Sequence, residues 1–215
     1  MVRFKAAIFD LDGTLLDSMG VWEKVDYDFL AKRNLTVPEQ YVKTITPMSF
    51  TEAAQYTVDL FHLNEKIPDI IGEWNNMVLY EYGHNISLKP HAREYLEFLK
   101  QQHIKIGTAT SLPKLLYEPV LKNNGIYELF DALTSTAEVS RGKEHPDIYR
   151  LAAKKLGVAP GDCIAFDDIL EAITAIKAAG MKAYGVYDSY SAHQKAAILA
   201  IADGYVRDFN EMLIP

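Results

Sequence analysis

Asp10 and Asp12 stand two residues apart at the end of an apolar stretch, Phe4 to Phe9, with Gly13 and Thr14 directly after them. On an extended backbone, residues two apart point to the same side. Two carboxylates held that way repel unless a cation, a shared proton or a reacting centre lies between them. Asp-Gly is also ordinary turn chemistry, but a turn gives no reason for a second acid beside so apolar a segment. Three later clusters place polar groups after apolar segments in the same manner. Ile106-Gly107-Thr108-Ala109-Thr110-Ser111 ends in hydroxyls, which read alone as a helix N-cap. Gly142-Lys143-Glu144-His145-Pro146-Asp147 carries Lys143, a solvated charge if read alone, and His145, which fits a variable loop position better than acid–base work. Phe166-Asp167-Asp168 ends another apolar segment in two acids. One of them could serve a helix N-terminus; two are poorly explained that way.

The elements that must position these groups follow from the hydrophobic pattern. Residues 4–9, Lys5 apart, are apolar without polar alternation, as suits a strand covered on both faces of a parallel sheet. Open α/β sheets hold ligands beyond the carboxyl ends of such strands. After Asp17 the period changes. Val21, Val25, Phe29 and Leu30 recur at helical spacing up to a stop at Asn34, and further helices are predicted over 39–45, 51–61 and 69–82. From Pro90 onward, helices over 94–102, 115–123, 148–156 and 171–179 alternate with strands over 104–108, 132–134, 162–166 and 182–186. Gly125, Gly157 and Gly180 stand where helix ends need a left-handed residue. Alternating strands and helices imply a parallel sheet with right-handed crossovers. The expected fold class is α/β, a Rossmann-like three-layer parallel-sheet core over 1–16 and 88–215 with an inserted four-helix unit over 17–87.

Taken together, the four clusters resemble the four motifs of the haloacid dehalogenase superfamily. Asp10-Leu11-Asp12-Gly13-Thr14 is similar to the first motif in the version its Mg2+-dependent phosphatases carry. Thr110 matches the second motif, Lys143 the third, and Asp167-Asp168 the fourth. Two departures stand out: Glu144 replaces a usual proline, and Ile169 and Ala172 replace a usual serine and glycine. The resemblance implies Asp10 as nucleophile, forming an aspartyl-phosphate, and Asp12 as the acid and then the base. It implies phosphate contacts from Thr110, Ser111, Lys143 and the backbone at Gly13, with Ser111 also readable as a helix N-cap. It implies Mg2+ held by Asp10, the Asp12 carbonyl and Asp168, with Asp167 direct or through water. In this superfamily a helical insertion after the first motif acts as a substrate-selecting cap. Residues 17–87 resemble that of the β-phosphoglucomutase-like and phosphoglycolate-phosphatase-like branch, with Trp22, Met48, Ser49 and Phe50 as candidate specificity residues. Trp74 reads as core of the helical unit.

The whole chain bounds what such a site could serve. Its 215 residues suit one large domain or a core with an insertion. A net charge of -7 argues against nucleic acid as the partner. It leaves room for a small phosphate ester, because a bound metal and a few lysines set the local sign. Cys163, the one cysteine, lies in an apolar segment and reads as a buried, inert thiol. No apolar run reaches the roughly 18 residues of a membrane span, and the N-terminal stretch has no signal-peptide pattern. A cytoplasmic enzyme, monomeric or weakly dimeric, is the expectation. The leading reading is a phosphatase of sugar or polyol phosphates. A phosphomutase is second: mutases of the branch carry a cap-loop arginine and a histidine on the first cap helix, whereas this chain has Phe50 and no histidine between Asp17 and Phe61. A catalytically silent phospho-ligand binder is third. Dehalogenase activity is disfavoured, since it needs neither the second Asp nor metal-binding acids.

Overall fold

The computed structural model describes residues 4–45, 48 and 50–213. The described chain divides into two compact units, Met1–Met19 with Ile86–Pro215, and Gly20–Asn85. Residues 17–19 and 86–87 go with the first unit for a local reason. The Asp17 N–H donates to the Ser87 carbonyl at 2.9 Å, and Leu16 pairs antiparallel with Leu88, so the outgoing and returning chains are bonded side by side.

The larger unit is built on five parallel strands. These are β1 (Ala6–Phe9), β2 (Lys105–Thr108), β3 (Cys163–Asp167), β4 (Lys182–Val186) and β5 (Gly204–Val206), in the spatial order β2-β1-β3-β4-β5. The chain leaves β1 for β2 on one side and returns to β3 on the other, which makes β1 and β3 the switch point where doubly wound sheets open a crevice. Phe9 lies opposite both Thr108 and Phe166, so the residues just past β1, β2 and β3 meet at one edge.

Both faces are covered, as apolar strands without alternation require. On one face Ala6, Ile8, Cys163, Ala165 and Ala183 pack with residues of α7 (Asp147–Leu156), α8 (Leu170–Ala178) and α9 (Lys195–Ile201). On the other, Phe9 and Phe166 stack with ring centroids 4.7 Å apart, and Tyr95 of α5 (Ala92–Gln101) and Phe209 meet them edge-on or tilted. The remaining helix of this unit is α6 (Lys114–Asn123).

Two local expectations fail. Residues 132–134 do not form a strand; only isolated bridges, Gly107 to Ala132 and Thr110 to Ser135, join that segment to the sheet. The segment runs straight into a 3-10 turn at Thr136–Glu138 and is too short to propagate a ladder. Ser111 is not a helix N-cap, because α6 begins later, with Pro113 at the cap position and no side chain capping it. The unpredicted α9 and β5 complete the sheet edge, the strand too short to stand out as an apolar run.

The smaller unit holds α1 (Val21–Ala31), α2 (Tyr41–Ile45), α3 (Phe50–Phe61) and α4 (Ile67–His84). Its interior is apolar and aromatic. Phe29 meets Trp74 edge-on at 5.5 Å, and Tyr41 packs on Phe61 and shares a 2.7 Å hydrogen bond with Thr57. Trp74 is buried, as core of this unit. Among the described residues, no helix is long and apolar enough to cross a membrane.

Candidate active site

The sheet edge collects three of the four sequence clusters into one buried group. Asp10 follows β1 directly, anchored by its N–H to the Phe166 carbonyl at 3.0 Å. Asp167 ends β3 and Asp168 follows it. Ligand oxygens of Asp10, Asp167 and Asp168 all lie within 4.8 Å of one another, and all three residues are buried. Lys143, 8% exposed, reaches in from the loop before α7, its Nζ 2.7 Å from Asp10 Oδ1 and 2.5 Å from Asp167 Oδ2. One ammonium thus faces three carboxyls, so the cluster can take a further cation.

The electrostatics agree with that imbalance. Burial pushes the Asp10 carboxyl well above the usual carboxylate range; Asp167 and Asp168 add to the effect and Lys143 opposes it. Burial likewise lifts Asp168 to about 7, with the charge of Asp167 adding. For Lys143 burial alone would favour the neutral amine, but Asp10 and Asp167 outweigh it and the ammonium is held above its ordinary value.

Gly13 explains itself in this geometry. Its φ of +74° lies in the left-handed region, and a Cβ there would stand 2.9 Å from the Asp168 carboxyl carbon. Only glycine lets the first and fourth clusters approach this closely. Behind it the Leu11 carbonyl accepts the N–H groups of Thr14, Leu15 and Leu16, which closes a tight loop after the strand. Asp12 sits at the front of that loop, partly buried, and its Oδ1 accepts the Ser18 hydroxyl at 2.6 Å.

Thr110 is buried at the end of β2's continuation. Its N–H donates to the Thr134 carbonyl and its Oγ1 accepts the Leu112 N–H at 3.1 Å. Ser111 is exposed on the turn beside it. In the helical unit, Trp22 and Phe50 are exposed and meet edge-on at 5.3 Å, Met48 is half-buried, and Ser49 lies outside the described residues.

Three supporting contacts escaped sequence reasoning. Tyr149 Oη donates to Asp167 Oδ2 at 3.2 Å. Ser18 holds Asp12, as above. Lys89 Nζ lies 2.5 Å from Asp188 Oδ2, a partly buried ion pair that ties the chain returning to the sheet unit to the loop after β4. A tyrosine on an apolar helix face and a lysine before a proline are weak signals by themselves; only the fold brings them to the acids.

A family model described as haloacid dehalogenase-like hydrolase matches residues 4–180. The chain belongs to that family. Haloacid dehalogenase-like hydrolases generally use a divalent metal, and the buried acids here could hold one. Among curated members, hexitol phosphatase B of Escherichia coli (strain K12) is 29% identical, the match covering 82% of this chain and 81% of the relative. The β-phosphoglucomutase of Bacillus subtilis (strain 168) is 31% identical over 85% of this chain and 83% of its own length. Among solved structures, a provisionally assigned β-phosphoglucomutase from Thermotoga maritima superposes with a TM-score of 0.87 at 25% identity, covering 97% of this chain and 96% of that one.

Proposed function

We propose that this haloacid dehalogenase-like hydrolase is a Mg2+-dependent phosphatase of small sugar or polyol phosphates, working through an aspartyl-phosphate on Asp10. One observation carries the reading: a buried lysine clamps Asp10 and Asp167 while Asp168 Oδ2, also buried, has no hydrogen-bond partner. An unpartnered buried carboxylate oxygen is costly, and a cation among the acids would satisfy it. The donor set is all oxygen, which suits Mg2+. Asp10, Asp168 and the Asp12 carbonyl would hold the ion, with Asp167 direct or through water. Bound there, Mg2+ would neutralise part of the phosphate dianion and help orient it.

The chain's own groups do the rest. Asp10, oriented by Lys143, attacks phosphorus as the ester oxygen leaves. Lys143, Thr110, Ser111 and the backbone at Gly13 would stabilise charge on the phosphoryl oxygens. Asp12, steadied by Ser18, would protonate the leaving oxygen and then take a proton from the water that hydrolyses the intermediate. The helical unit would serve as a cap, with Trp22, Met48, Ser49 and Phe50 choosing the substrate. The named relatives, a hexitol phosphatase and a phosphoglucomutase, support a phosphorylated carbohydrate as the substrate class. On this reading the enzyme acts in the cytoplasm as a monomer or weak homodimer.

The test is phosphate release from a panel of hexose, hexitol and glycolate phosphates with Mg2+. Turnover is expected to vanish with EDTA. It should fall by at least roughly 10^3-fold in Asp10→Asn, which should stay folded. No release from any ester, with ligands nonetheless raising Tm, would favour a silent binder. Similarity to the B. subtilis mutase keeps a second reading in view. Given β-glucose 1-phosphate, a mutase yields glucose 6-phosphate, whereas the phosphatase yields free phosphate.

A further inference from the structure

Tyr149 lies on α7, fully buried among Ile148, Ala152, Ala153 and Leu156. Phenylalanine would fill such a place equally well, and burying a hydroxyl is unfavourable unless it finds a partner. The hydroxyl of Tyr149 has one: it donates to Asp167 Oδ2 at 3.2 Å, the oxygen that Lys143 approaches at 2.5 Å. Asp167 Oδ1 accepts the Ile169 N–H at 3.3 Å. Asp167 is therefore held by three donors, whereas its neighbour Asp168 keeps a buried oxygen without a partner.

This asymmetry divides the labour of two adjacent acids. Asp168 is left open for a cation, and Asp167 is turned toward Lys143, which in turn holds Asp10 Oδ1 at 2.7 Å. We propose that Tyr149 is a positioning residue for phosphoryl transfer: it fixes the Asp167 carboxylate so that Lys143 stays clamped against the nucleophile. This rests on the phosphatase reading above. Without the phenol, Asp167 keeps Lys143 and the Ile169 N–H but can turn its carboxylate plane, and Lys143 can follow it away from Asp10. Substrate binding elsewhere in the site is untouched. The loss therefore falls on kcat, by roughly tenfold, as expected for one hydrogen bond to a charged group.

The experiment compares Tyr149→Phe, Tyr149→Leu, Asp167→Asn and the Tyr149→Phe/Asp167→Asn double variant. For Tyr149→Phe the expected result is a kcat near one tenth of wild type, with KM within twofold. Tyr149→Phe should add no further loss of kcat in the Asp167→Asn background, because the phenol acts through that carboxylate. In metal-free protein, the Tm losses of the two single variants should likewise fail to add. A purely packing role predicts wild-type kcat in Tyr149→Phe and a large Tm loss only in Tyr149→Leu, and that result overturns the proposal. Additive effects in the double variant overturn it as well. An inactive wild type would defeat the phosphatase reading and this role together, whereas an active wild type with an unaltered Tyr149→Phe defeats this role alone.

Discussion

The two units of the molecule use charge in opposite ways. The sheet unit buries it: Asp10, Lys143, Asp167, Asp168 and Asp188 are all under 9% exposed, at or near the carboxyl edge of β1, β3 and β4. In the helical unit Glu81 alone is a buried charge among the described residues. Its other ion pairs lie at the surface or half-buried, as with Lys24 to Asp28, Lys32 to Glu73 and Arg33 to Glu65 and Glu73. Large apolar side chains do not divide the units in this way. Phe9, Phe166, Tyr95 and Phe209 of the sheet unit and Phe29, Tyr41, Trp74 and Tyr82 of the helical unit are all buried, while Leu115, Tyr190 and Leu199 of the first and Trp22, Tyr27 and Tyr80 of the second are exposed. Buried charge without a full set of partners is costly and persists where chemistry needs it. The sheet unit thus gathers the buried charged groups, and the helical unit keeps most of its charges at or near its surface.

The sharpest break of this contrast is Lys143→Met. It leaves the buried acids without their ammonium, and turnover should fall by at least roughly 10^3-fold. In metal-free protein stability should drop by about 3 kcal/mol, the usual result of removing one partner from a buried pair. Urea unfolding in EDTA checks the second figure; a variant as stable as wild type would show that the acids share protons rather than depend on the lysine. Lys89→Met strands Asp188 in the same way at the edge of the site, where some water still reaches the pair. A loss of roughly 2 kcal/mol is expected by the same measurement.

The helical unit should respond more gently. Arg33 pairs with Glu65 and Glu73 and lies over the Phe29 ring at 3.7 Å, yet Arg33→Ala should cost only about 1 kcal/mol. A cost near that of Lys143→Met would erase the distinction between the units. A pH dependence tests the helical unit in another way. Burial, with Glu23 nearby, lifts the Asp26 carboxyl to about 7 from its usual 3.8. Between those values the folded protein holds this proton more tightly than the unfolded chain. The contribution of Asp26 to stability therefore falls as pH rises from about 4 to about 7. Asp26→Asn should raise Tm at pH 8 and leave it unchanged near pH 4; an equal shift at both would assign the effect to packing instead.

Much of this architecture is legible in the chain. The apolar run before Asp10, the alternation of helices and strands after Pro90, and the change of period after Asp17 each depend on neighbours in sequence, and each appears in the structure, with element ends displaced, the strand over 132–134 missing and α9 and β5 added. Phe166-Asp167-Asp168 is readable for the same reason. The failures have the opposite origin. Residues 132–134 look extended, but a strand exists only where a partner ladder is long enough, and here two isolated bridges are all the sheet supplies. Ser111 resembles a cap, but the helix starts after Pro113, whose ring presets the backbone angle there.

By itself the sequence determined which acids and hydroxyls stand at which strand ends, because hydrophobic period and residue type are local properties. Only the tertiary structure decided which oxygen of which acid is occupied. Lys143 and Tyr149 both settle on Asp167 and leave Asp168 open, and Gly13 lets that carboxylate come within 2.9 Å of where a Cβ would stand. Such choices are made by groups far apart in the chain competing for one buried space, and no spacing along the sequence encodes the outcome.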